Sequence, residues 1–197
     1  MKPAVRKPYA VGIKRREEIL EAALEIFSVQ GYRGAALADI AARVGLTLAG
    51  VLHYFSSKEE ILATVLQRRD EGLTPWFVDT WAETGSFSSA VHELMVHSMQ
   101  SPHVLRLFVT MSAESTDPSH PSHEYFQQRY RSSREHFGEV LRQAKELGQV
   151  QPAVSGPVLM AVLDGLQLQW LLDPTFDLLG ELDGYLQTIA VNPGPLS

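Results

Sequence analysis

The segment ADIAARVGLTLAGVLHYFSSKEEIL, from Ala38 to Leu62, contains two short helical patterns joined across one glycine. Within and just before it, apolar residues recur at helical spacing: Leu37, Ile40, Ala41 and Val44. Gly45 can take the left-handed conformation that ends this helix, and Thr47 can cap the next one. The segment is therefore predicted to form a helix-turn-helix.

The second of these helices is predicted to have one buried face and one outer face. The residues expected to face inward are Val51, Leu52 and Phe55. The residues expected to face outward are Leu48, Ala49, Gly50, His53 and Tyr54. The outer face therefore carries His53 and Tyr54 as its only polar side chains.

The composition argues against a disordered, membrane-spanning or secreted protein and against cysteine chemistry. Of the 197 residues 45% are hydrophobic, which is enough to bury a core and argues against intrinsic disorder. No apolar run reaches the roughly 18 residues of a membrane span, and no secretory signal is recognisable, so we expect a cytoplasmic protein. The absence of cysteine excludes disulfides, thiolate zinc sites and cysteine nucleophiles.

The net charge of −6 is unevenly distributed. Residues 1–60 carry nine Lys or Arg against seven Asp or Glu, while residues 61–197 carry eight against sixteen. Six basic residues precede the first acid, Glu17: Lys2, Arg6, Lys7, Lys14, Arg15 and Arg16. This basic segment is either a phosphate-binding element or a solvated tail without that role, and the sequence leaves both open.

The rest of the chain consists of further helical patterns separated by breakers. Residues 1–12 are expected to form a flexible arm, and the first helix to run from Ile13 to about Gln30, with Gly31 as its stop. Ser57 to Glu60 has the arrangement of a capping box, and Pro75 either kinks the helix that follows or begins a new one. No strand pattern is present, so we predict an all-α fold of about nine helices.

Several motifs give the chain a resemblance to the TetR (tetracycline repressor) family of transcriptional regulators. They are Ile19 with Ala22, Ala23 and Phe27, Gly31-Tyr32, Asp39-Ile40-Ala41, Val44 to Thr47, His53-Tyr54-Phe55 and Ser57-Lys58-Glu59. The resemblance implies a helix-turn-helix DNA-binding domain over residues 13–57, after the arm. It also implies a larger helical domain over residues 58–197, which binds an effector and forms a homodimer through the last two helices.

The resemblance further implies a repressor that leaves a palindromic operator when a small ligand binds, although activators belong to the same family. The DNA-reading positions differ from the usual motif: Ala35, Leu48, Ala49-Gly50 and Leu52 stand where Thr, Lys, Gly-Thr and Tyr are common. Bidentate base readout needs Arg, Lys, Asn or Gln, and residues 47–55 contain none of them. DNA shape is therefore expected to carry much of the specificity.

We expect three kinds of DNA contact from these residues. Leu48 and Ala49 would touch thymine methyl groups, and Gly50 would let the backbone approach the duplex closely. Thr47, Tyr54 and Lys58 would bind phosphates, and His53 is the polar side chain that can read a base. Lys14 and Arg33 complete the expected DNA-binding set, with Arg33 or the arm near the minor groove.

An apolar effector cavity is expected in the larger domain. Its candidate lining residues are aromatic, thioether or directional polar side chains: Trp81, Met99, His103, Met111, Phe126, Gln167 and Trp170. The segment from Val158 to Leu172 is apolar on nearly every face, which a partner subunit would cover.

No catalytic motif is recognisable, because glycine-rich phosphate loops, nucleophile elbows and paired carboxylates are all missing. We therefore expect a protein that is not an enzyme and needs no metal or cofactor. His92 with His97 and His120 with His123 do not have convincing ligand spacing, so these side chains are expected to be ordinary surface or core histidines. The alternative function is a helical ligand-binding or adaptor protein without affinity for DNA.

Overall fold

The structure is a computed structural model that describes residues 7–191, apart from the side chains of residues 7–10, 69 and 72–74. It confirms the all-α fold, with two residues of the described part, Val150 and Ala190, paired by an isolated β-bridge. The helices within the described residues are α1 Lys7–Gly34, α2 Leu37–Arg43, α3 Leu48–Leu52, α4 Lys58–Thr84, α5 Phe87–Met99, α6 Pro102–Glu114, α7 His123–Glu146, α8 Gly156–Leu172 and α9 Leu178–Ile189.

The first helix differs from its prediction at both ends. It begins at Lys7, so part of the expected arm is helical, while residues 1–6 lie outside the described residues. A proline such as Pro8 is tolerated in the first turn, because the N–H groups there have no intrahelical partner in any residue. At the other end, Gly31 was expected to stop the helix. Its φ of 69° and ψ of 169° do interrupt α1 there, but a final turn follows and the helix ends at Gly34.

The chain divides into two compact units between Arg69 and Asp70, inside α4, whereas the sequence placed the domain border at residue 58. In the first unit, α2 packs against both α1 and α3. The turn between α2 and α3 has the expected glycine, with a φ of 66° at Gly45. The core of this unit is apolar and drawn from all four helices and the connections between them: Ile19, Leu20, Ala22, Ala23, Phe27, Tyr32, Ala35, Ile40, Ala41, Val51, Phe55, Ile61, Leu62, Val65 and Leu66.

The second unit is built from the end of α4 and from α5 to α9. Of the two alternatives at Pro75, the structure shows a single helix that continues through the proline to Thr84. Ser86 caps α5 by accepting a hydrogen bond from the Ser89 backbone N–H, and a proline opens α6. In this unit α8 packs against α6, α7 and α9, while α5 packs against α6 and α9.

Candidate nucleic-acid interface

The outer face of α3 is apolar and accessible to solvent. Leu48 is 46% exposed and Leu52 is 41% exposed. The prediction that Leu52 faces inward is wrong. Val51 and Phe55 are the buried residues of this region, and a helical step of about 100° per residue turns Leu52 away from them, onto the side of Leu48 four positions earlier.

The other predicted reading positions lie around these two leucines. Ala49 and His53 are exposed, while Gly50 and Tyr54 are half-buried. The His53 and Tyr54 rings meet edge to face, with centroids 5.2 Å apart. Thr47 is exposed, and its Oγ1 accepts a hydrogen bond from the Gly50 backbone N–H at 3.1 Å, which is the expected N-cap of α3.

Lys58 lies at the start of α4, where its ammonium group bonds to the protein itself. Nζ donates hydrogen bonds at 2.8 Å to the carbonyls of both Tyr32 and Ala35. The Tyr32 hydroxyl donates in turn to the Glu59 carboxylate. This bond lowers the pKa of Glu59, while burial is the main cause of the raised pKa of Tyr32. The contacts join the start of α4 to the end of α1 and to the residue just after it.

Arg16, counted with the basic segment, also contacts protein groups. Its Nη1 donates to the Tyr54 carbonyl at 2.7 Å, and its Cζ lies 3.9 Å from the centre of the buried Phe55 ring. Its Nη2 is 3.6 Å from a carboxylate oxygen of Glu60. A sequence signal for this role exists, because Arg16 precedes the buried Ile19 and Ala23 by three and seven residues and so lies on their side of α1.

The remaining predicted basic contacts lie on the exposed surface of the first unit. The Lys14 side chain is 81% exposed, with Nζ 4.0 Å from Glu18. Arg33 is exposed in the last turn of α1. Exposed ion pairs of this kind are weak, and a phosphate can compete with the carboxylate for the cation.

Four of the seven candidate effector residues lie around one core cluster in the second unit. Trp81, Met99 and Trp170 are half-buried against this cluster, and Gln167 Nε2 lies 3.6 Å from the sulfur of Met95, which belongs to it. The other three are distributed differently: Met111 is buried on α6, Phe126 packs edge to face on Phe108 at 6.0 Å, and His103 is exposed at the start of α6.

The histidines considered as metal ligands have protein partners. His92 Nδ1 is 2.7 Å from Asp183, while the buried His120 contacts Ser122 at 2.8 Å through Nδ1 and lies 3.4 Å from Glu114 through Nε2. Across the described residues, no group of three or more His, Asp or Glu side chains is close enough together to hold a metal ion. In the same part of the chain, no helix is long and apolar enough to cross a membrane.

A family model, similar proteins and solved structures all relate this chain to the family that the sequence motifs resemble. The family model described as "Bacterial regulatory proteins, tetR family" matches residues 19–65. The uncharacterised regulator TtgW of Pseudomonas putida is 31% identical over 117 residues, which cover 58% of this chain and 87% of that protein. The regulator SrpR of Pseudomonas putida is 29% identical over 163 residues, 82% of this chain and 75% of SrpR.

The likeness extends to a named repressor and to solved structures. The transcriptional repressor KstR2 of Mycobacterium tuberculosis is 26% identical, with 70% of each chain covered. A TetR transcriptional regulator from Chloroflexus aurantiacus superposes with a TM-score of 0.77 over 93% of this chain and all of that chain. At 20% identity that structure shows the fold alone. The expected family is thus confirmed, and the chain belongs to the TetR family of DNA-binding transcriptional regulators.

Proposed function

We propose that the chain is a homodimeric repressor that binds a palindromic operator through α3 and leaves it when a small apolar ligand binds. The observation that carries this proposal is the accessible outer face of α3, held by a helix-turn-helix whose apolar core residues are buried. In a bacterial cell such a protein works in the cytoplasm, where its operator is. Residues 13–57, packed against the part of α4 that belongs to the first unit, supply the DNA-binding domain, and the remainder of residues 58–197 binds the effector and the second subunit.

The proposed DNA contacts follow from the exposure of each side chain. Leu48, Ala49 and Leu52 are apolar and exposed, so they suit thymine methyl groups in the major groove. The half-buried Gly50 lets the backbone come close to the bases, and the exposed His53 can read a base edge.

Phosphate contacts are proposed for Thr47, Tyr54, Lys14 and Arg33. A hydroxyl can accept one hydrogen bond and donate another, so Thr47 can cap α3 and bind a phosphate at the same time. Lys58 has two donors committed to protein carbonyls, which supports a structural role for it beside, or in place of, the phosphate contact expected from the sequence.

The proposed dimer interface rests on an unburied stripe along α8. Val158 is 54% exposed, Leu168 is 45% exposed and Leu172 is 76% exposed. Together with Ala161 and Gly165 they recur at intervals of three and four residues, so they share one helix face. The opposite face already packs in the core through Leu159, Met160 and Leu163. A second copy of α8, related by a twofold axis, would cover the stripe with the same stripe.

The dimer sets the geometry of the operator. Two α3 helices related by a twofold axis reach successive major grooves when they are about 34–36 Å apart, or a small multiple of it. The two half-sites would then form a palindrome, because each subunit reads the same bases in opposite directions.

Effector binding is proposed at the half-buried side chains of Trp81, Met99, Gln167 and Trp170, with the neighbouring Met111, Phe126 and His103 as further candidates. Large apolar side chains that are only partly covered leave surface that an apolar ligand can bury. Because α4 contributes residues to both units, we propose that the ligand acts through this helix. The ligand relieves repression only to the extent that it binds the DNA-free state more tightly.

Selection of bound sequences from a random duplex library tests this function directly. The expected result is a palindrome whose half-sites are one helical turn, or a multiple of it, apart, with binding that weakens steeply as salt rises. Selection of no palindrome, together with weak and sequence-independent binding, would favour the adaptor alternative. A ligand that tightens operator binding would reverse the direction of regulation.

A further inference from the structure

The C-terminal end of α3 is held by a side chain that comes from α1. Arg16 Nη1 donates to the carbonyl of Tyr54 at 2.7 Å, just beyond the last residue of α3. Cζ of the same guanidinium group lies over the ring of Phe55, 3.9 Å from the ring centre. Phe55 itself is 1% exposed, so the arginine connects the end of the recognition helix to the core of the first unit.

A second contact fixes the orientation of the Arg16 guanidinium group. Its Nη2 lies 3.6 Å from Oε1 of Glu60, while Oε2 of Glu60 accepts hydrogen bonds from the backbone N–H and the hydroxyl of Ser56 at 2.6 and 2.8 Å. Glu60 therefore joins Arg16 to the connection between α3 and α4. The guanidinium group donates to a carbonyl, makes a cation–π contact with a ring and lies near a carboxylate, and a lysine cannot reproduce all three contacts.

We propose that Arg16 is a positioning residue for α3, which sets the angle at which the helix presents its outer face to DNA without itself binding a phosphate. The proposal rests on the proposed DNA-binding function and deepens it. Under this proposal Arg16, one of the six residues of the basic segment, supports the recognition helix and does not belong to a phosphate-binding element or a solvated tail.

The physical reason is the shortness of α3. A helix of five residues forms almost no internal hydrogen bonds, so its direction is not determined by its own sequence. Thr47 satisfies a backbone N–H at its start, and Arg16 satisfies a backbone carbonyl just beyond its end, where a positive charge also complements the helix dipole. Loss of Arg16 would leave the start of α3 capped and its end free to move.

The test compares three variants on two duplexes, the operator selected with the wild-type chain and a scrambled duplex of the same composition. Arg16→Met removes every contact, and Arg16→Lys keeps the charge but loses the planar fork. Arg15→Met is the matched control: Arg15 is the adjacent residue with a similar side-chain exposure, 42% against 39%, and it pairs with Glu18 of its own helix at 2.6 Å.

We expect Arg16→Met and Arg16→Lys both to weaken operator binding by about tenfold relative to Arg15→Met, the loss that removal of one charge-assisted hydrogen bond produces. Binding to the scrambled duplex and the salt dependence of operator binding should stay at their wild-type values in both Arg16 variants. An Arg16→Lys variant with wild-type affinity, or a salt slope that falls by about 1 in Arg16→Met but not in Arg15→Met, would overturn the proposal in favour of a phosphate contact.

Hydrogen exchange of the free protein separates this inference from the proposed function, because it requires no DNA. In Arg16→Met the amides of His53, Tyr54 and Phe55 should exchange at least about tenfold faster, while those of α2 keep their rates. Equal acceleration across the whole first unit would mean that Arg16 stabilises the fold generally, and would overturn a specific role at α3. If the wild-type chain selects no operator but these three amides respond, the DNA-binding function fails while the support of α3 stands.

Discussion

The ammonium group of Lys58 contacts Tyr32 in two ways: it donates a hydrogen bond to the backbone carbonyl and makes a cation–π contact with the ring. Nζ donates to the Tyr32 carbonyl at 2.8 Å and lies 4.2 Å from the centre of the Tyr32 ring. The family resemblance pointed to a phosphate contact for this lysine, while the structure shows it joining α4 to the end of α1. A phosphate contact would contribute to the salt dependence of operator binding, whereas the contacts with Tyr32 contribute to the stability of the first unit.

We predict that Lys58→Met lowers the free energy of unfolding by about 2 kcal/mol, because it removes charged hydrogen bonds to two carbonyls. The salt slope of operator binding should stay at the wild-type value, since two of the three ammonium donors are already used. Denaturant unfolding followed by circular dichroism, together with binding at several salt concentrations, measures both quantities.

Lys14→Met is the matched control for Lys58→Met. The Lys14 side chain is 81% exposed, so its removal should leave stability unchanged, and it should reduce the salt slope by about 1 because one proposed phosphate contact is lost. A slope that falls by about 1 in Lys58→Met would show that a phosphate does draw this lysine away from its carbonyls.

We predict that Leu52→Ala and Leu48→Ala each reduce the preference for thymine at one position of the half-site by about fivefold, because each removes apolar surface from the outer face of α3. Binding competition between operators with single base changes gives this preference. Val29→Ala is the control, since Val29 is 78% exposed but belongs to α1. Unaltered base preference in both leucine variants would refute the methyl contacts.

We predict that Leu168→Glu raises the dissociation constant of the homodimer by about a hundredfold or more, because it buries a carboxylate without a partner in the proposed α8 interface. Sedimentation equilibrium measures the change. Leu147→Glu, at an exposed leucine just after α7, should leave association unchanged. A wild-type chain that sediments as a monomer, or equal effects of both variants, would contradict the interface.

We predict that the hydrogen bond from Tyr32 to Glu59 makes the first unit sensitive to acid. The bond lowers the pKa of the Glu59 carboxyl below its ordinary value of 4.5, so its stabilisation is present above that pH and is lost as the pH falls through the lowered value. Tyr32→Phe should lower the free energy of unfolding by about 1 kcal/mol at pH 7 and by progressively less below pH 4.5. This value is small because solvent screens the exposed Glu59 carboxylate.

A double-mutant cycle with Glu59→Gln isolates this pair from the other groups that titrate in acid. The coupling energy should be measurable at neutral pH and approach zero in strong acid. A coupling energy that does not change with pH would show that the Glu59 charge is not what the Tyr32 hydroxyl stabilises.

We predict that a neutral apolar dye, N-phenyl-1-naphthylamine, quenches the tryptophan fluorescence when it binds. All three tryptophans of the chain, Trp76, Trp81 and Trp170, pack against the same core cluster of the second unit. Operator and dye should weaken each other's binding by the same factor, within about 5- to 150-fold, as linkage requires. Dye binding that leaves both fluorescence and operator affinity unchanged would contradict an effector site at this cluster.

The helices and their ends could be predicted from the sequence because the forces that form them are local. Gly45 and Gly148 adopt positive φ angles where the apolar periodicity stops, and Thr47 and Ser86 cap the next helices with their own hydroxyls. The first helix began earlier than predicted, since prolines and glycines near a helix start are weak stop signals. The family motif is a run of such local signals, which is why it was recognisable in one sequence.

The partners of the charged side chains were decided by tertiary structure. From the sequence, Arg16 was counted in a basic segment and Lys58 was expected to bind a phosphate; the structure shows that each bonds to backbone carbonyls distant in the chain. Leu52 faces outward because only Val51 and Phe55 meet the core. Sequence alone determined that α3 would form after a tight turn. How α3 is held, and which of its side chains reach solvent, depended on packing between helices, because a helix of five residues cannot orient itself.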